Sequence, residues 1–227
     1  TDCVGTACAT GTCVQGACSW TKVSSGACCA GDLQCAKDNA CVSDQCIGWI
    51  CKSTPVSGTG VHFWARFDDK ALTGWTVTKG NTQAYFHLSD SLVFAGKGAL
   101  RYGVPNKKTW SGGFPNKGTA TSVELALPKS GPKATLRIFF DGEPSAAVHQ
   151  FGIKVLQANQ APKSVWSKNV DLKGNTAGKW VKAEMDLSAW AGKKVQLQIW
   201  FDVGVAFPKE EGFGLVVDEL RIQGACP

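Results

Sequence analysis

Two aromatic side chains stand on the polar phase of segments in which apolar and polar residues alternate. Trp200 follows Gln196 and Gln198 on one such segment, and Phe139 follows Arg137 on another. A ring bordered by amide and charged groups suits a sugar, because the ring stacks on the apolar face of the sugar while its neighbours hydrogen-bond the hydroxyls. Exposed rings equally suit packing against another domain or subunit. We favour packing for this pair and keep sugar binding as the alternative.

Carboxylates near both ends of the alternating region suggest a cation site. Asp68 and Asp69 begin the first predicted strand, and Asp218 and Glu219 lie on the last. We expect the first and last strands to run side by side, so these hard oxygen ligands could converge with backbone carbonyls on one structural Ca²⁺. Asp218 would otherwise cap a turn or hydrogen-bond backbone amides. The sequence leaves both interpretations open.

Residues with catalytic potential are present, but they form no recognisable constellation. The histidines make no His-Glu-x-x-His motif, and neither a Gly-x-Ser-x-Gly elbow nor a glycine-rich phosphate loop occurs. A glycosidase needs two carboxylates across a cleft, for which Glu143, Glu184 and Glu219 are single candidates. A small hydrolase would need His149 or Glu184 in a cleft with a partner. We therefore predict that the protein is not an enzyme.

Cysteines dominate the N-terminal part of the chain. Of 11 cysteines, ten lie within residues 1–51. Apolar residues are too few there to build a core, so we expect disulfide bonds to replace it. The spacing lacks the Cys-x2-Cys pairs and histidines that are typical of zinc sites. The ten residues are Cys3, Cys8, Cys13, Cys18, Cys28, Cys29, Cys35, Cys41, Cys46 and Cys51.

The eleventh cysteine, Cys226, makes the total odd. If Cys226 pairs with Cys51 or a neighbour, one of the remaining nine cysteines has no partner within the chain. Alternatively, the ten pair among themselves and Cys226 is the odd one. Either arrangement leaves a thiol for an intermolecular disulfide with another protein or a second copy of this chain.

Alternation with period two recurs through the rest of the chain and predicts its fold. Half-buried antiparallel strands have this pattern, and turn clusters separate the segments. Roughly eight to ten such strands predict an all-β, two-sheet jelly-roll sandwich over residues 62–227. Residues 1–51 would form a small disulfide-rich module, and the polar residues 52–61 a linker. The clearest alternating segments are 134–140, 181–187, 195–203 and 216–222.

A series of short motifs runs in order along residues 62–223. They are Phe67-Asp-Asp69, Thr73-Gly-Trp75, Gly98–Gly103, Gly118–Ser122, Gly178-Lys-Trp180, Asp186–Gly192, Val195–Asp202 and Gly212–Glu219. In this order they resemble the MAM-like jelly-roll domains of secreted bacterial proteins, including metalloproteases of the immune inhibitor A type. The resemblance implies a jelly-roll fold and a non-catalytic accessory role in adhesion, protein contact or carbohydrate binding. It also implies a structural cation near the first and last strands.

Charge and composition indicate the compartment and exclude some partners. The formal net charge is +6, but the lysines are scattered, whereas a nucleic-acid binder would cluster arginines. No stretch approaches the ~20 apolar residues of a membrane span. Because disulfides form in oxidising compartments, we expect a secreted or cell-surface protein whose signal peptide has been removed. The absence of Asn-x-Ser/Thr slightly favours a bacterial source.

These features together predict a non-enzymatic structural or adhesion protein outside the cell. It would act through protein–protein contacts, as a subunit of an extracellular assembly, with other proteins or copies of itself as partners. The alternative is a carbohydrate-binding module that uses the aromatic strand face and takes glycans as ligands. We expect no nucleic acid partner, no transmembrane segment and, apart from a structural Ca²⁺, no cofactor.

Overall fold

The computed structural model divides the chain into two compact units, residues 1–60 with 226–227 and residues 61–225. The residues that the structure describes are 9–14, 17–22, 42–47 and 50–55, as backbone, and 58–69, 71–80, 83–110, 116–142, 149–203 and 212–226. Two short helical segments, Lys168–Leu172 and Ser188–Trp190, occur among them. No helix in these ranges is long and apolar enough to cross a membrane.

The residues of the first unit that the structure describes form two antiparallel β-hairpins. Strand β1 (Ala9–Val14) pairs with β2 (Ala17–Lys22), and β3 (Val42–Ile47) pairs with β4 (Ile50–Pro55). The predicted linker, residues 52–61, is therefore wrong in its bounds, since residues 52–55 belong to β4 and residues 59–61 to the next strand. Polar residues such as Ser53 and Thr54 occur in hairpin strands as well as in linkers, so composition did not separate the two.

The hairpins bring cysteine backbones together. The Cα atom of Cys13 faces that of Cys18 in the first hairpin, and Cys46 faces Cys51 in the second. The other six cysteines of the predicted module, at 3, 8, 28, 29, 35 and 41, lie outside the described residues. Cys226 is disulfide-bonded, so the alternative in which it is the odd cysteine is wrong.

The described residues from β5 onward form two six-stranded sheets. Sheet A has the order β13-β12-β15-β9-β6, with β10 paired to β15; sheet B has the order β14-β11-β16-β8-β7, with β5 paired to β16. The strands are β5 (Thr59–Ala65), β6 (Trp75–Lys79), β7 (Tyr85–Ser89), β8 (Ala99–Gly103), β9 (Asn116–Ser122), β10 (Leu125–Ala126), β11 (Lys133–Asp141), β12 (His149–Leu156), β13 (Lys163–Ser167), β14 (Val181–Asp186), β15 (Lys194–Val203) and β16 (Gly214–Ala225).

The predicted all-β, two-sheet sandwich is confirmed, and the chain crosses between the sheets at most connections, as in a jelly roll. The four alternating segments are strands β11, β14, β15 and β16. The expected pairing of the first and last strands of the sandwich is also confirmed, because β5 pairs with β16. The described residues form twelve strands here, β5 to β16, where roughly eight to ten were predicted. A strand as short as β10 escapes prediction because two residues are too few for a periodic pattern.

One hydrophobic core fills the space between the sheets. On β15 every second side chain is buried, and on β11 the apolar residues of the alternating phase point inward in the same way. Pairs of strands from the two sheets thus bury their apolar faces against each other, as alternation requires. The largest members of this core include Phe86, Tyr102, Trp110, Phe140, Phe151 and Phe201.

A β-bulge interrupts the last strand. Thr135 of β11 faces Arg221 of β16, but Arg137 faces Asp218, so two residues of β16 stand opposite one of β11. Glu219 takes the extra position with a φ of 53°, a backbone region that non-glycine residues rarely adopt. The single alternating phase predicted for residues 216–222 is therefore wrong.

The bulge changes which side chains of β16 face outward. Val216 packs in a small cluster outside the main core, whereas Leu220 and Ile222 belong to the main core. Asp218 keeps the phase of Val216 and so lies on the outer side of sheet B. A regular strand would have given Val216, Asp218 and Leu220 the same side, as the sequence pattern predicted.

Candidate functional site

The outer side of sheet A carries the tryptophan that the sequence singled out. Along β15, Gln196, Gln198 and Trp200 are partly exposed and Asp202 is exposed, while their neighbours are buried. β15 lies between β12 and β9, so Trp200 is flanked on both sides by paired strands. Regular alternation is sufficient to produce this arrangement.

Trp200 lies beside a glycine on the neighbouring strand. Gly152 of β12 and Thr119 of β9 are its partners in register. A Cβ atom at Gly152 would stand 3.1 Å from Nε1 of Trp200 and 2.4 Å from the carbonyl oxygen of Trp166. Only glycine therefore leaves room for the indole over β12, and it does so without an unusual backbone angle.

Hydroxyl, amide and ammonium groups surround the ring. Gln198 donates a hydrogen bond from Nε2 to the hydroxyl of Thr121 at 3.1 Å, and Gln196 donates to the carbonyl of Ser122 at 2.8 Å. The ammonium of Lys154 lies 4.8 Å from the centroid of the Trp200 ring. We call this surface the Trp200 face; its residues are Thr119, Thr121, Gly152, Lys154, Gln198 and Trp200.

The structure separates the two aromatic residues that the sequence paired. Arg137 and Phe139 lie on β11 of sheet B, whereas Trp200 lies on β15 of sheet A. Both segments expose their polar phase, but on opposite sides of the sandwich. A single site that contains both Arg137 and Trp200 is therefore wrong, because alternation fixes the face of a strand but not the sheet to which the strand belongs.

Phe139 has a packing role. It is buried with Ala99 and Val216 in a second apolar cluster on the outer side of sheet B, against which Trp180 and Phe213 pack. Its ring centroid lies 5.8 Å from that of Trp180. Phe139 thus packs within its own sheet, whereas Trp200 remains partly exposed; packing of either ring against another domain or subunit stays a prediction.

Asp218 uses its carboxylate to bind backbone amides. Its Oδ2 accepts hydrogen bonds from the amides of Phe94 and Ala95, each at 3.0 Å, and its Oδ1 accepts one from Glu219 at 2.7 Å. The residue is fully buried. Desolvation raises the pKa of this carboxyl, and the amide hydrogen bonds oppose that rise.

The other predicted cation ligands have different surroundings. The prediction that Asp68 and Asp69 begin a strand is wrong, because both residues follow β5 in a loop. Asp68 accepts a hydrogen bond from the amide of Lys97 and pairs with Arg66 at 3.1 Å. Among the described residues no three His, Cys, Asp or Glu side chains come together as a metal site.

These contacts do not fit a Ca²⁺ site. Amide N–H groups and a guanidinium are donors that repel a cation, and they already occupy the oxygens of Asp68 and Asp218 that a metal would need. Glu219 is likewise held by Arg66, at 3.8 Å, and by Arg221. Calcium binding stays a prediction that nothing in this geometry supports.

The two described carboxylates considered for catalysis, Glu184 and Glu219, are engaged with cations. Glu184 pairs with Lys182, and the hydrogen bond from this lysine is the main cause that lowers the pKa of Glu184. A carboxyl with a lowered pKa is a poor general acid near neutral pH. His149 is buried beside Trp110, with ring centroids 4.3 Å apart, and Glu143 lies outside the described residues.

Sequence reasoning missed the partners of Trp200. Thr119 and Thr121 alternate with Ala120 on β9, and this pattern indicates that the two threonines share an exposed face. It does not indicate that β9 pairs with β15, the strand of Trp200. Gly152 and Lys154 carried no signal of their own, because their importance depends on the pairing of β12 with β15.

No protein-family model and no curated protein matches the chain. The chain is similar in structure to the CBM22-1 xylan-binding domain of Paenibacillus barcinonensis Xyn10C, with a TM-score of 0.48 and 13% identity over 76% of this chain and 99% of that one. It is also similar to the K1 cleaved adhesin domain of Lys-gingipain from Porphyromonas gingivalis, with a TM-score of 0.48 and 14% identity over 74% and 99% of the two chains.

A further similar structure is that of TmCBM61 in complex with β-1,4-galactotriose, with a TM-score of 0.46 and 11% identity over 69% of this chain and 92% of that one. At such scores and identities these similarities carry no argument about function. The function must be argued from the residues of this chain.

Proposed function

We propose that this protein is an extracellular carbohydrate-binding protein and that its Trp200 face binds the glycan. The observation that carries the proposal is a partly exposed indole among paired central strands, surrounded by hydroxyl, amide and ammonium groups. This is the arrangement that the alternative sequence hypothesis required, without Arg137 and Phe139.

Each group on this face has a use in sugar recognition. The Trp200 ring offers an apolar surface to the C–H face of a sugar. The hydroxyl of Thr121 already accepts a hydrogen bond from Gln198, so its own proton is free to be donated. The Lys154 ammonium, 4.8 Å from the ring centroid, is placed to donate to a hydroxyl or ring oxygen of a bound sugar.

The nature of the face favours a sugar over a protein partner. Protein interfaces have an apolar, largely desolvated centre, whereas the neighbours of Trp200 are threonine, glutamine and lysine side chains. The exposed large apolar residues of the described chain are not members of this face; they are Val61, Trp64, Phe94, Val123 and Val170. The protein-contact hypothesis stays a prediction.

A glycan array followed by calorimetric titration of the best glycan tests the proposal. Trp200→Ala should weaken binding at least about 30-fold, because removal of a central aromatic contact costs about 2 kcal/mol or more. The matched control is Trp64→Ala, which makes the same change at a tryptophan that is 45% exposed on another surface and should leave the affinity unchanged. Thermal unfolding of both variants checks that each is folded.

Two results would contradict the proposal. One is an array without any glycan ligand for the correctly folded protein. The other is a glycan whose affinity Trp200→Ala leaves unchanged, or which Trp64→Ala weakens just as much, because binding would then lie elsewhere.

We also propose that the cysteines of residues 1–51 form a disulfide-bonded module. The disulfide of Cys226 and the facing backbones in both hairpins support this. Since Cys226 takes its partner from ten cysteines, nine remain and one of them has no partner within the chain. Peptide mapping under non-reducing conditions should find either one free thiol or one peptide linked to a second chain. Two or more free thiols would contradict the proposal.

A further inference from the structure

A pocket lies on the outer side of sheet B, away from the Trp200 face. It has a volume of about 260 Å³. Its lining from the strands consists of Thr135, Leu136 and Arg137 of β11, Lys182 of β14, and Glu219, Arg221 and Gln223 of β16. Phe94, from the loop between β7 and β8, is also part of its lining. We call it the Arg137 pocket.

Buried Asp218 fixes the aromatic side of this pocket. Its carboxylate binds the amides of Phe94 and Ala95 and so holds the turn that carries Phe94. The Phe94 ring then lies 4.5 Å from the guanidinium carbon of Arg137 and 5.7 Å, edge to face, from the ring of Trp180. Phe94 nevertheless remains 41% exposed, so one apolar surface is available to a ligand.

The bulge in β16 sets the charge of the pocket. It turns Glu219 toward the outside of the sheet, where Arg66 and Arg221 hold the carboxylate. Arg221 also stacks on Trp64, 4.1 Å from its centroid. A strained residue of this kind persists only where its surroundings hold it, and such residues cluster at binding sites.

Positive charge remains after these pairs are formed. Lys182 is paired with Glu184, but its side chain is 48% exposed and can turn toward a ligand. Arg137 has no carboxylate within ion-pair distance in the described part of the chain, and its stacking on Phe94 leaves the N–H groups at the edge of the guanidinium available. The pocket therefore presents the planar guanidinium of Arg137 as a hydrogen-bond donor, which suits a planar acceptor such as a carboxylate.

We propose that the Arg137 pocket binds the uronate residue of an acidic glycan. The sugar carboxylate pairs with the guanidinium of Arg137 and with Lys182. The ring hydroxyls meet the hydroxyl of Thr135 and the amide of Gln223, both of which donate and accept hydrogen bonds. The C–H face of the sugar packs on Phe94.

The lining distinguishes a uronate from simpler anions. A phosphate or acetate would use the cations but neither the Phe94 ring nor the neutral groups of Thr135 and Gln223. A neutral sugar would use those groups but would leave Arg137 without an acceptor. The site lies on the opposite sheet from the Trp200 face, so it does not depend on the function proposed for that face.

The test compares D-glucuronate and D-galacturonate with D-glucose and D-galactose by NMR titration of the full chain. Both uronates should bind more tightly than the neutral sugars, and acetate should bind more weakly than either uronate. Arg137→Gln should weaken uronate binding at least tenfold. Lys182→Gln should weaken uronate binding about threefold. Because the Lys182 side chain is 48% exposed, this variant should fold normally.

Two variants give the test a direction and a control. Glu184→Gln removes the partner of Lys182 and should strengthen uronate binding about twofold. Lys194→Gln, the same change at an exposed, ion-paired lysine of β15 on the other sheet, should leave it unchanged. Equal binding of acetate and uronates, equal binding of neutral sugars and uronates, or uronate binding that neither Arg137→Gln nor Lys182→Gln alters would each overturn the proposal.

Discussion

The two outer faces of the sandwich are built in different ways. The Trp200 face of sheet A comes from regular strands, in which every second residue points outward, and its residues are adjacent through simple register. The outer face of sheet B depends on a bulge in β16, on a buried carboxylate and on a loop that packs over the strands. One face is an open polar surface, and the other carries an apolar cluster and a cationic pocket.

This difference teaches where tertiary contacts are required. On sheet A the backbone hydrogen bonds of the strands are enough to position the side chains. On sheet B a regular strand would have put Val216 and Leu220 on the same side, but the extra residue of the bulge sends Leu220 into the main core while Val216 packs outside it. Substitutions should therefore be tolerated differently on the two faces.

The largest difference is expected for the same change at two aspartates. Asp218→Ala leaves three backbone N–H groups without their acceptor and should lower the free energy of unfolding by about 3 kcal/mol. Asp202→Ala, at an exposed position of β15, should change it by less than about 0.5 kcal/mol. Urea denaturation of both variants measures this. Equal effects would mean that the two faces do not differ in the way described.

The pH dependence of stability sharpens the role of Asp218. Because burial raises the pKa of this carboxyl, the folded chain binds more protons than the unfolded chain just above the ordinary aspartate pKa. The contribution of Asp218 protonation to the free energy of unfolding is therefore complete below the pKa of this carboxyl in the unfolded chain. It is lost as the pH rises through the pKa of the same carboxyl in the folded chain. Asp218→Asn should remove this component from the pH profile of the free energy of unfolding. A profile identical to that of the parent protein would contradict it.

The Trp200 face has one position that should not tolerate a side chain. Gly152→Ala places a Cβ atom against the carbonyl of Trp166 and the indole of Trp200, and should cost about 2 kcal/mol. It should also reduce glycan binding, since the indole must move. Gln150→Ala, an exposed neighbour on the same strand, should change stability by less than about 0.5 kcal/mol. Chemical denaturation and titration of both variants provide the measurements, and a neutral Gly152→Ala would remove the proposed support of the ring.

A smaller effect is expected from the lysine over the ring. Lys154→Met keeps the aliphatic chain but removes the ammonium near Trp200, and should cost about 0.5 kcal/mol of stability. Lys117→Met is the control, because this exposed lysine lies on the same face without a ring contact among the described residues. Differential scanning calorimetry should separate the two variants. If they behave alike, the contact contributes nothing.

The smallest effect is expected from calcium. With amides and guanidinium groups on the carboxylate oxygens of Asp68, Asp218 and Glu219, neither added Ca²⁺ nor a chelator should shift the unfolding temperature. A ligand that binds the native state stabilises it in proportion to the logarithm of its concentration over Kd. A rise in unfolding temperature with Ca²⁺ would show that these carboxylates are open to a cation.

Much of the fold was predictable because strand periodicity is a local property. Alternation along β11, β14 and β15 indicated both the strands and their buried sides, and the structure confirms them. The exposure of Trp200 together with Gln196 and Gln198 followed from the same pattern. The bounds of the linker were wrong because polar residues occur in exposed strands as well as in connections.

The candidate sites were less predictable because they depend on strands far apart in sequence. Arg137 was expected near Trp200, but it lies on the other sheet and is joined instead by Phe94 and Arg221. The alternating pattern placed Asp218 on the same side as Leu220, and the bulge at Glu219 puts the two on opposite sides of the sheet. A local pattern of apolar and polar residues predicts neither the bulge in β16 nor the contact of Phe94 with Arg137.

The sequence by itself determined an all-β chain, a cysteine-rich N-terminal segment and a tryptophan on a polar strand face, since these depend only on composition and on the two-residue period of a strand. Only the tertiary structure decided that Gly152 makes room for Trp200 and that Arg137 faces the opposite side. The reason is physical: side-chain alternation is set within a strand, whereas strand neighbours and bulges are set by which arrangement buries the whole core.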